Sequence, residues 1–190
     1  MIQIKEVNSA KEMKQFVDLP FEIYKDNPYW VPSLKKEELK SFDANNDIFK
    51  TVDATFFLAF KNNEVVGRVV AIINWTEVKK LNKSKVRFGW LSFKEDINIL
   101  KALLTAVENV GKIKQLSYIE GPMGFSNMDK AGMLTDGFDR VATLIGLYNK
   151  EYYPQYIQEL GYKPKAEWLE YAIDIENLQS VKKMDKLCEM

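Results

Sequence analysis

The sequence predicts an α/β (α+β) domain, a mixed sheet flanked by helices, on three observations. Residues 86–120 read as strand, long amphipathic helix and strand, an order that favours a right-handed crossover and a parallel or near-parallel strand pair. Residues 55–75 read as two β-rich apolar runs joined at Asn62-Asn63, and asparagines tolerate the positive φ angles of a tight antiparallel hairpin. Finally, 190 residues, 46% apolar and 28% charged, suffice for one compact core with no disordered composition.

Ile2 and Ile4 alternate with polar neighbours ahead of Val7, as a first strand does. Ser9 then caps a helix carrying Met13, Phe16 and Val17. In residues 20–32, Pro20, Pro28 and Pro32 bias their preceding residues away from helix, while Phe21, Tyr24, Tyr29 and Trp30 need cover. Two arrangements answer both demands: a loop whose Tyr29 and Trp30 plug the core, or an aromatic lid over a cleft. Ser33 is the expected cap of a second helix through Leu34, Glu38 and Phe42, followed by a polar loop at 43–47. The hairpin strands follow at 55–61 and 65–75. Arg68 interrupts the second of them, and because an unpaired buried guanidinium is costly it lies toward a sheet edge or pairs with a carboxylate. Lys79, Lys80, Lys83 and Lys85 read as a solvated loop.

In the strand-helix-strand unit, Val86, Phe88, Trp90 and Leu91 favour a half-buried strand and Asp96 is placed to cap the helix. Leu100, Leu103, Leu104, Val107 and Val110 share one helix face, with Lys101, Glu108 and Lys112 turned to water and Gly111 as the expected stop. Residues 116–120 form the second strand, closed by Gly121-Pro122. The segment 121–139, punctuated by Gly121, Gly124, Gly132 and Gly137, suits no regular element. It is either an ordered loop over the sheet or a ligand-contacting loop, in which Asn127, Asp129 and Asp136 are the substrate-binding candidates. Ser126 with Asp129 can cap one helical turn. Another strand is expected at 141–147, a helix from Pro154 through Tyr156, Ile157 and Leu160 to Gly161, and a last strand at 165–175. The domain is thus read as 1–175. Residues 176–190 are an amphipathic tail, with Leu178, Val181, Met184 and Leu187 on one face, expected to dock on the body, on a second copy or on a downstream domain.

Composition removes much chemistry. There is no histidine, and the one cysteine is Cys188, so Ser-His-Asp and Cys-His arrangements, imidazole metal ligands, CxxC pairs and internal disulfides are all excluded. Catalysis must use carboxylates, tyrosines, lysines or backbone dipoles, and no metal is expected. The 27 basic and 27 acidic residues balance, with no basic run of nucleic-acid type. The apolar stretch 54–60 is far short of the ~20 residues of a membrane span. With no signal-peptide pattern either, a cytoplasmic protein that binds neither nucleic acid nor membrane is expected.

Three patches resemble the GNAT superfamily of N-acetyltransferases: the hairpin Asn62-Asn63-Glu64-Val65-Val66-Gly67-Arg68, the strand and helix of the 86–122 unit, and Tyr156-Ile157-Gln158-Glu159-Leu160-Gly161-Tyr162. Asp26-Asn27-Pro28-Tyr29-Trp30-Val31-Pro32 and Gly121-Pro122-Met123-Gly124 are more narrowly similar to a poorly characterised bacterial GNAT-like group with longer members. The resemblance implies a mostly antiparallel sheet splayed between its fourth and fifth strands, and acetyl transfer from acetyl-CoA to an unidentified amine. It implies that Trp90, Leu91, Ser92, Phe93, Lys94 and Asn98 meet the cofactor, with the strand on the pantetheine and the helix start on the pyrophosphate. Tyr156 or Tyr153 would be the general acid, and Glu120, at a strand end, a candidate base. The sequence departs from the family at 92–98, where Ser-Phe-Lys-Glu-Asp-Ile-Asn lacks glycine and places Glu95 and Asp96 where phosphates would sit. A catalytically silent GNAT-fold module that binds a ligand or a protein, alone or as a homodimer, is the alternative.

Overall fold

The computed structural model describes residues 1–141 and 146–171. Five strands form one sheet in chain order: β1 (Ile2–Glu6), β2 (Val52–Lys61), β3 (Glu64–Asn74), β4 (Lys85–Phe93) and β5 (Tyr118–Glu120). The first four pair antiparallel and β5 runs parallel to β4. Among the described residues five α-helices accompany them, α1 (Ala10–Ile23), α2 (Lys35–Ser41), α3 (Trp75–Lys80), α4 (Ile97–Ile113) and α5 (Tyr152–Glu159), with a 3-10 turn at Asp47–Lys50. This is the mixed, mostly antiparallel α/β architecture that the hairpin and the crossover unit predict. Asn62 and Asn63 hold φ of 53° and 65°, closing the hairpin.

Side-chain alternation assigns the two faces. On one, Val69, Ala71, Ile73, Val86 and Phe88 pack under Leu100, Leu103, Leu104 and Val107 of α4, all at most 2% exposed. On the other, Val70 and Ile72 join Phe16, Val17, Phe42 and Phe125. Lys101 and Lys112 are exposed as expected, whereas Glu108 is half-buried and accepts a hydrogen bond from the Tyr162 hydroxyl at 3.0 Å.

Several boundaries differ from expectation for identifiable reasons. α1 runs through Pro20 to Ile23 instead of ending before it. The N–H that Pro20 lacks would have met the Phe16 carbonyl, and Arg68 Nη1 takes that oxygen at 2.8 Å. α2 starts from Leu34, with no side-chain cap, so Ser33 lies outside it. Gly111 does not stop α4. It lies inside the helix where an added Cβ would stand 2.8 Å from Val86 Cγ1, and Gln115 supplies the positive φ after the end. Lys85 is not solvated but 3% exposed, held by Glu77 at 3.3 Å and Glu120 at 2.8 Å. The strand expected at 141–147 lies partly outside the described residues. That at 165–175 is irregular through 171, and its remainder, with the tail 176–190, lies outside them.

Candidate functional site

The site originates in one extra residue in β4. Arg68 pairs with Ser92 and Val70 with Gly89, so two steps along β3 face three along β4. Trp90 takes up the difference in the left-handed region, at φ 49°. An inserted residue reverses side-chain parity. Val86 and Phe88 before the bulge, and Leu91 and Phe93 after it, pack toward α4, while Trp90 and Ser92 are delivered to the opposite face. Gly89 sits beside the bulge because a Cβ there would stand 2.2 Å from the Met123 carbonyl oxygen.

Beyond the bulge the sheet opens. β5 pairs with β4 only to Glu120, after which the chain turns through the cis Gly121-Pro122 bond and Met123 N–H donates to the Phe88 carbonyl. A cavity of about 430 Å³ occupies the space next to the split. Trp90, Leu91, Ser92 and the 122–124 turn form its floor. The α1 end (Pro20, Phe21, Tyr24), the Trp30–Ser33 segment, residues 129–133 and residues 146–149 complete its walls. Such a volume, mostly apolar with a few convergent polar groups, is that of a small-molecule site.

Arg68 and Glu38 are its charged groups of greatest burial, with side chains 7% and 8% exposed and Nη1 bonded to Oε1 at 2.9 Å. Arg68 is thereby the carboxylate-paired residue expected from sequence, although it lies on a central strand. Burial lowers its pKa, opposed by Glu38. Trp30 does not plug the core: half-buried, it stacks on Tyr24 at 5.1 Å, meets Phe21 edge-on at 5.2 Å and walls the cavity. Asn27 organises that wall, its Oδ1 accepting from the N–H groups of Tyr29 and Trp30 and its Nδ2 donating to the Tyr148 hydroxyl. Asn149, 5% exposed, accepts from Leu134 N–H at 2.7 Å and donates to its carbonyl at 3.1 Å, anchoring the loop opposite.

The sequence-derived residues are dispersed. Trp90, Leu91, Ser92 and Tyr153 line the cavity, as does Asp129, which accepts from Ser126 N–H at 2.8 Å. Asn127 is turned to the sheet, its Oδ1 taken by Arg87 at 2.9 Å, and Asp136 is exposed outside the lining. Glu120 is remote, clamped by Lys85 and Lys165; burial acts to raise its pKa, but the hydrogen bonds from both lysines outweigh it and hold the carboxyl low. Tyr153 is 1% exposed and stacked on Phe93 at 4.1 Å, its hydroxyl accepting from Phe93 N–H at 2.8 Å. The Tyr152 hydroxyl donates to the Phe93 carbonyl at 2.7 Å, so both backbone groups of Phe93 are engaged internally. Burial pushes Tyr24 to about 12 and Tyr153 well above its ordinary range, which leaves both as protonated donors. Tyr156 is half-buried beside Tyr152, 5.5 Å between rings, and outside the cavity lining. Tyr153→Phe is expected to cost about 1–3 kcal/mol by leaving the buried Phe93 N–H unpaired, read as a lower unfolding midpoint and faster exchange at the Phe93 amide.

At the start of α4, Asp96 Oδ1 accepts from Asn98 N–H at 2.9 Å and Asn98 Nδ2 at 3.0 Å, while Oδ2 pairs with Lys61 at 2.9 Å. The Lys61 hydrogen bond and those from Asn98 hold the Asp96 carboxyl low. Lys94 is paired with Glu64 at 2.8 Å. The helix N-terminus that would receive a diphosphate therefore already carries a carboxylate of its own, and these residues do not fit that end of CoA.

No family model matches the chain. Its structure is similar to that of aminoglycoside N-acetyltransferase AAC(6')-Iy in complex with a CoA-based bisubstrate analog, with TM-score 0.58 and 14% identity over 92% of this chain and 99% of that one. It is also similar to a predicted acetyltransferase of Clostridium acetobutylicum with acetyl-CoA (TM-score 0.52, 16% identity, 90% and 96% covered). A putative acetyl transferase of Pyrococcus furiosus matches comparably (0.53, 16%, 91% and 100%). The chain has the GNAT acetyltransferase fold that its sequence resemblance implies. In sequence it is similar to Protein YghO of Escherichia coli (strain K12), 28% identical over 154 residues, 81% of this chain and 40% of that protein. It is similar also to the bacterial ceramide synthase of Caulobacter vibrioides, 24% identical over 170 residues, 88% and 44% respectively. The chain spans less than half the length of either. Among the described residues no helix is long and apolar enough to cross a membrane.

Proposed function

We propose that the domain serves N-acyl transfer, with the cavity beside the β4–β5 split receiving the amine and an acyl-CoA supplying the acyl group. The observation that supports this best is the position of the cavity, in a GNAT fold whose solved neighbours include acetyltransferases with acetyl-CoA or a CoA analog bound, at the strand bulge where the sheet parts. A ceramide is an N-acylated amine, so the name of the Caulobacter relative agrees with the same bond being made. This chain's residues bind and orient the amine: Trp30 and Trp90 supply apolar walls, Glu38 an acceptor for its N–H and Arg68 a fixed positive charge. Tyr24 acts as a hydrogen-bond donor, its raised pKa being too high for proton removal at neutral pH, while the Tyr153 hydroxyl stays engaged with both backbone groups of Phe93.

The state of the α4 N-terminus favours a second reading, a silent ligand-binding module. A helix N-terminus contributes only about 0.3–1 kcal/mol toward a surface anion, and carboxylates at 95 and 96 can cancel that much. Calorimetric titration with acetyl-CoA and a longer acyl-CoA separates the readings. The expected result is weak, salt-sensitive binding by the wild type that tightens in Glu95→Gly/Asp96→Asn, where Asn retains the capping side chain. Absence of binding in both proteins, with no acyl transfer to an amine, would favour the silent module.

A further inference from the structure

Two polar atoms of the buried ion pair that lines the cavity have no hydrogen-bond partner among the described residues. Arg68 Nη1 is bonded to Glu38 Oε1 and the Phe16 carbonyl, and Nε reaches Ser92 Oγ at 3.4 Å, whereas Nη2 makes no hydrogen bond to a described residue. Glu38 has the same asymmetry, since its Oε1 is taken by Arg68 and its Oε2 makes no hydrogen bond to a described residue. Both side chains are more than nine-tenths buried, both line the cavity, and neither atom is enclosed in protein without a partner. A largely buried cation and anion that line the same cavity thus each keep one polar atom free of any described protein partner and available to a ligand. Around the pair the lining is apolar and aromatic, with Trp30, Trp90, Leu91 and Met133.

We infer that the Arg68–Glu38 pair is a two-handed head-group site for an amine that carries an oxygen function on the neighbouring carbon and an apolar remainder. The amine N–H donates to Glu38 Oε2, and the hydroxyl or carboxylate accepts from Arg68 Nη2. A net-neutral pair sets no demand for a net charge on the ligand, but it does require a donor and an acceptor side by side. The apolar remainder lies against the indoles. A 2-amino alcohol and an apolar α-amino acid both present this head group. The inference rests on the acyl-transfer reading only in calling this ligand the acceptor.

The test compares 2-amino-1-decanol, L-phenylalanine and decylamine, all below any micelle-forming concentration, by calorimetry on the wild type and on Arg68→Met/Glu38→Leu. Exchanging both charges for apolar groups leaves neither one stranded, so the variant is expected to fold. At least one of the first two probes should bind wild type about tenfold or more tighter than decylamine, and that preference should vanish in the variant. Preference for the amino alcohol or for phenylalanine identifies which source supplies the head group. Equal binding of decylamine, or no binding of either two-handed probe, overturns the inference. Should the variant not fold, the probe series on wild type decides alone. Acyl-CoA binding measured beside it keeps the readings apart: transfer to simple amines without head-group preference leaves acyl transfer standing and removes the inference, and head-group binding without acyl-CoA binding does the reverse.

Discussion

Arg87→Met is expected to destabilise the domain by about 3–5 kcal/mol, because it takes from the buried Glu77 carboxylate its nearer cationic partner and leaves only Lys85, at 3.3 Å. Arg87 is 1% exposed on β4, and its Nη2 lies 2.7 Å from Glu77 Oε2, whose side chain is 8% exposed. The same guanidinium donates to the Gly124 carbonyl at 3.0 Å and to Asn127 Oδ1 at 2.9 Å. Its loss therefore also frees the turn that forms the cavity floor. Urea unfolding should show a reduced midpoint, and hydrogen exchange should quicken across residues 124–127. Arg87→Met/Glu77→Leu, which removes both charges, should regain much of the loss. A single variant within about 1 kcal/mol of wild type would show that the carboxylate is hydrated and the network dispensable. The network also sets a pH dependence. Burial acts to raise Glu77, but Arg87 and Lys85 outweigh it and hold the folded carboxyl below its ordinary 4.5. A depressed folded pKa contributes stability above the unfolded value that disappears as pH falls through the folded one. Stability should accordingly fall below pH 4.5, and less steeply in Glu77→Gln.

The second large effect is expected at Leu103, which is 0% exposed beneath the sheet. Leu103→Ala should cost about 2–5 kcal/mol, since the lost side chain leaves a void that a β-sheet cannot relax to fill. Its Cδ1 stands 2.9 Å from where a Cβ on Gly67 would be, so the helix already approaches β3 as closely as the glycine allows. Chemical denaturation of the variant checks the value, and a loss within error would place the core elsewhere.

What was legible in the sequence follows from the range over which each interaction acts. The hairpin at Asn62-Asn63, the α4 stripe and the Asp96 cap are set by residues within one turn of one another, and all three are seen in the structure. The cavity was less legible. Arg68 left a signal, a guanidinium within an apolar strand, but Glu38 is 30 residues away on a polar helix and nothing local marks it. The bulge at Trp90 could have been suspected, because Val86, Phe88, Leu91 and Phe93 keep a constant face only if one residue is skipped between them. Pro20 misled for the opposite reason: its local cost to the helix is offset by a side chain from a distant strand.

That substitution at Pro20 makes α1 a reporter. The Phe16 carbonyl has exchanged a helical N–H for the Nη1 of a cavity residue. Its electron density therefore follows the guanidinium rather than the helix ladder. A ligand that draws Arg68 toward the cavity weakens this bond, and one that neutralises Glu38 strengthens it. The carbonyl ¹³C resonance of Phe16, in protein labelled at that single position, should move on occupancy, in opposite directions for anionic and cationic head groups. Occupancy could then be followed by spectroscopy at an atom outside the cavity lining, independently of turnover.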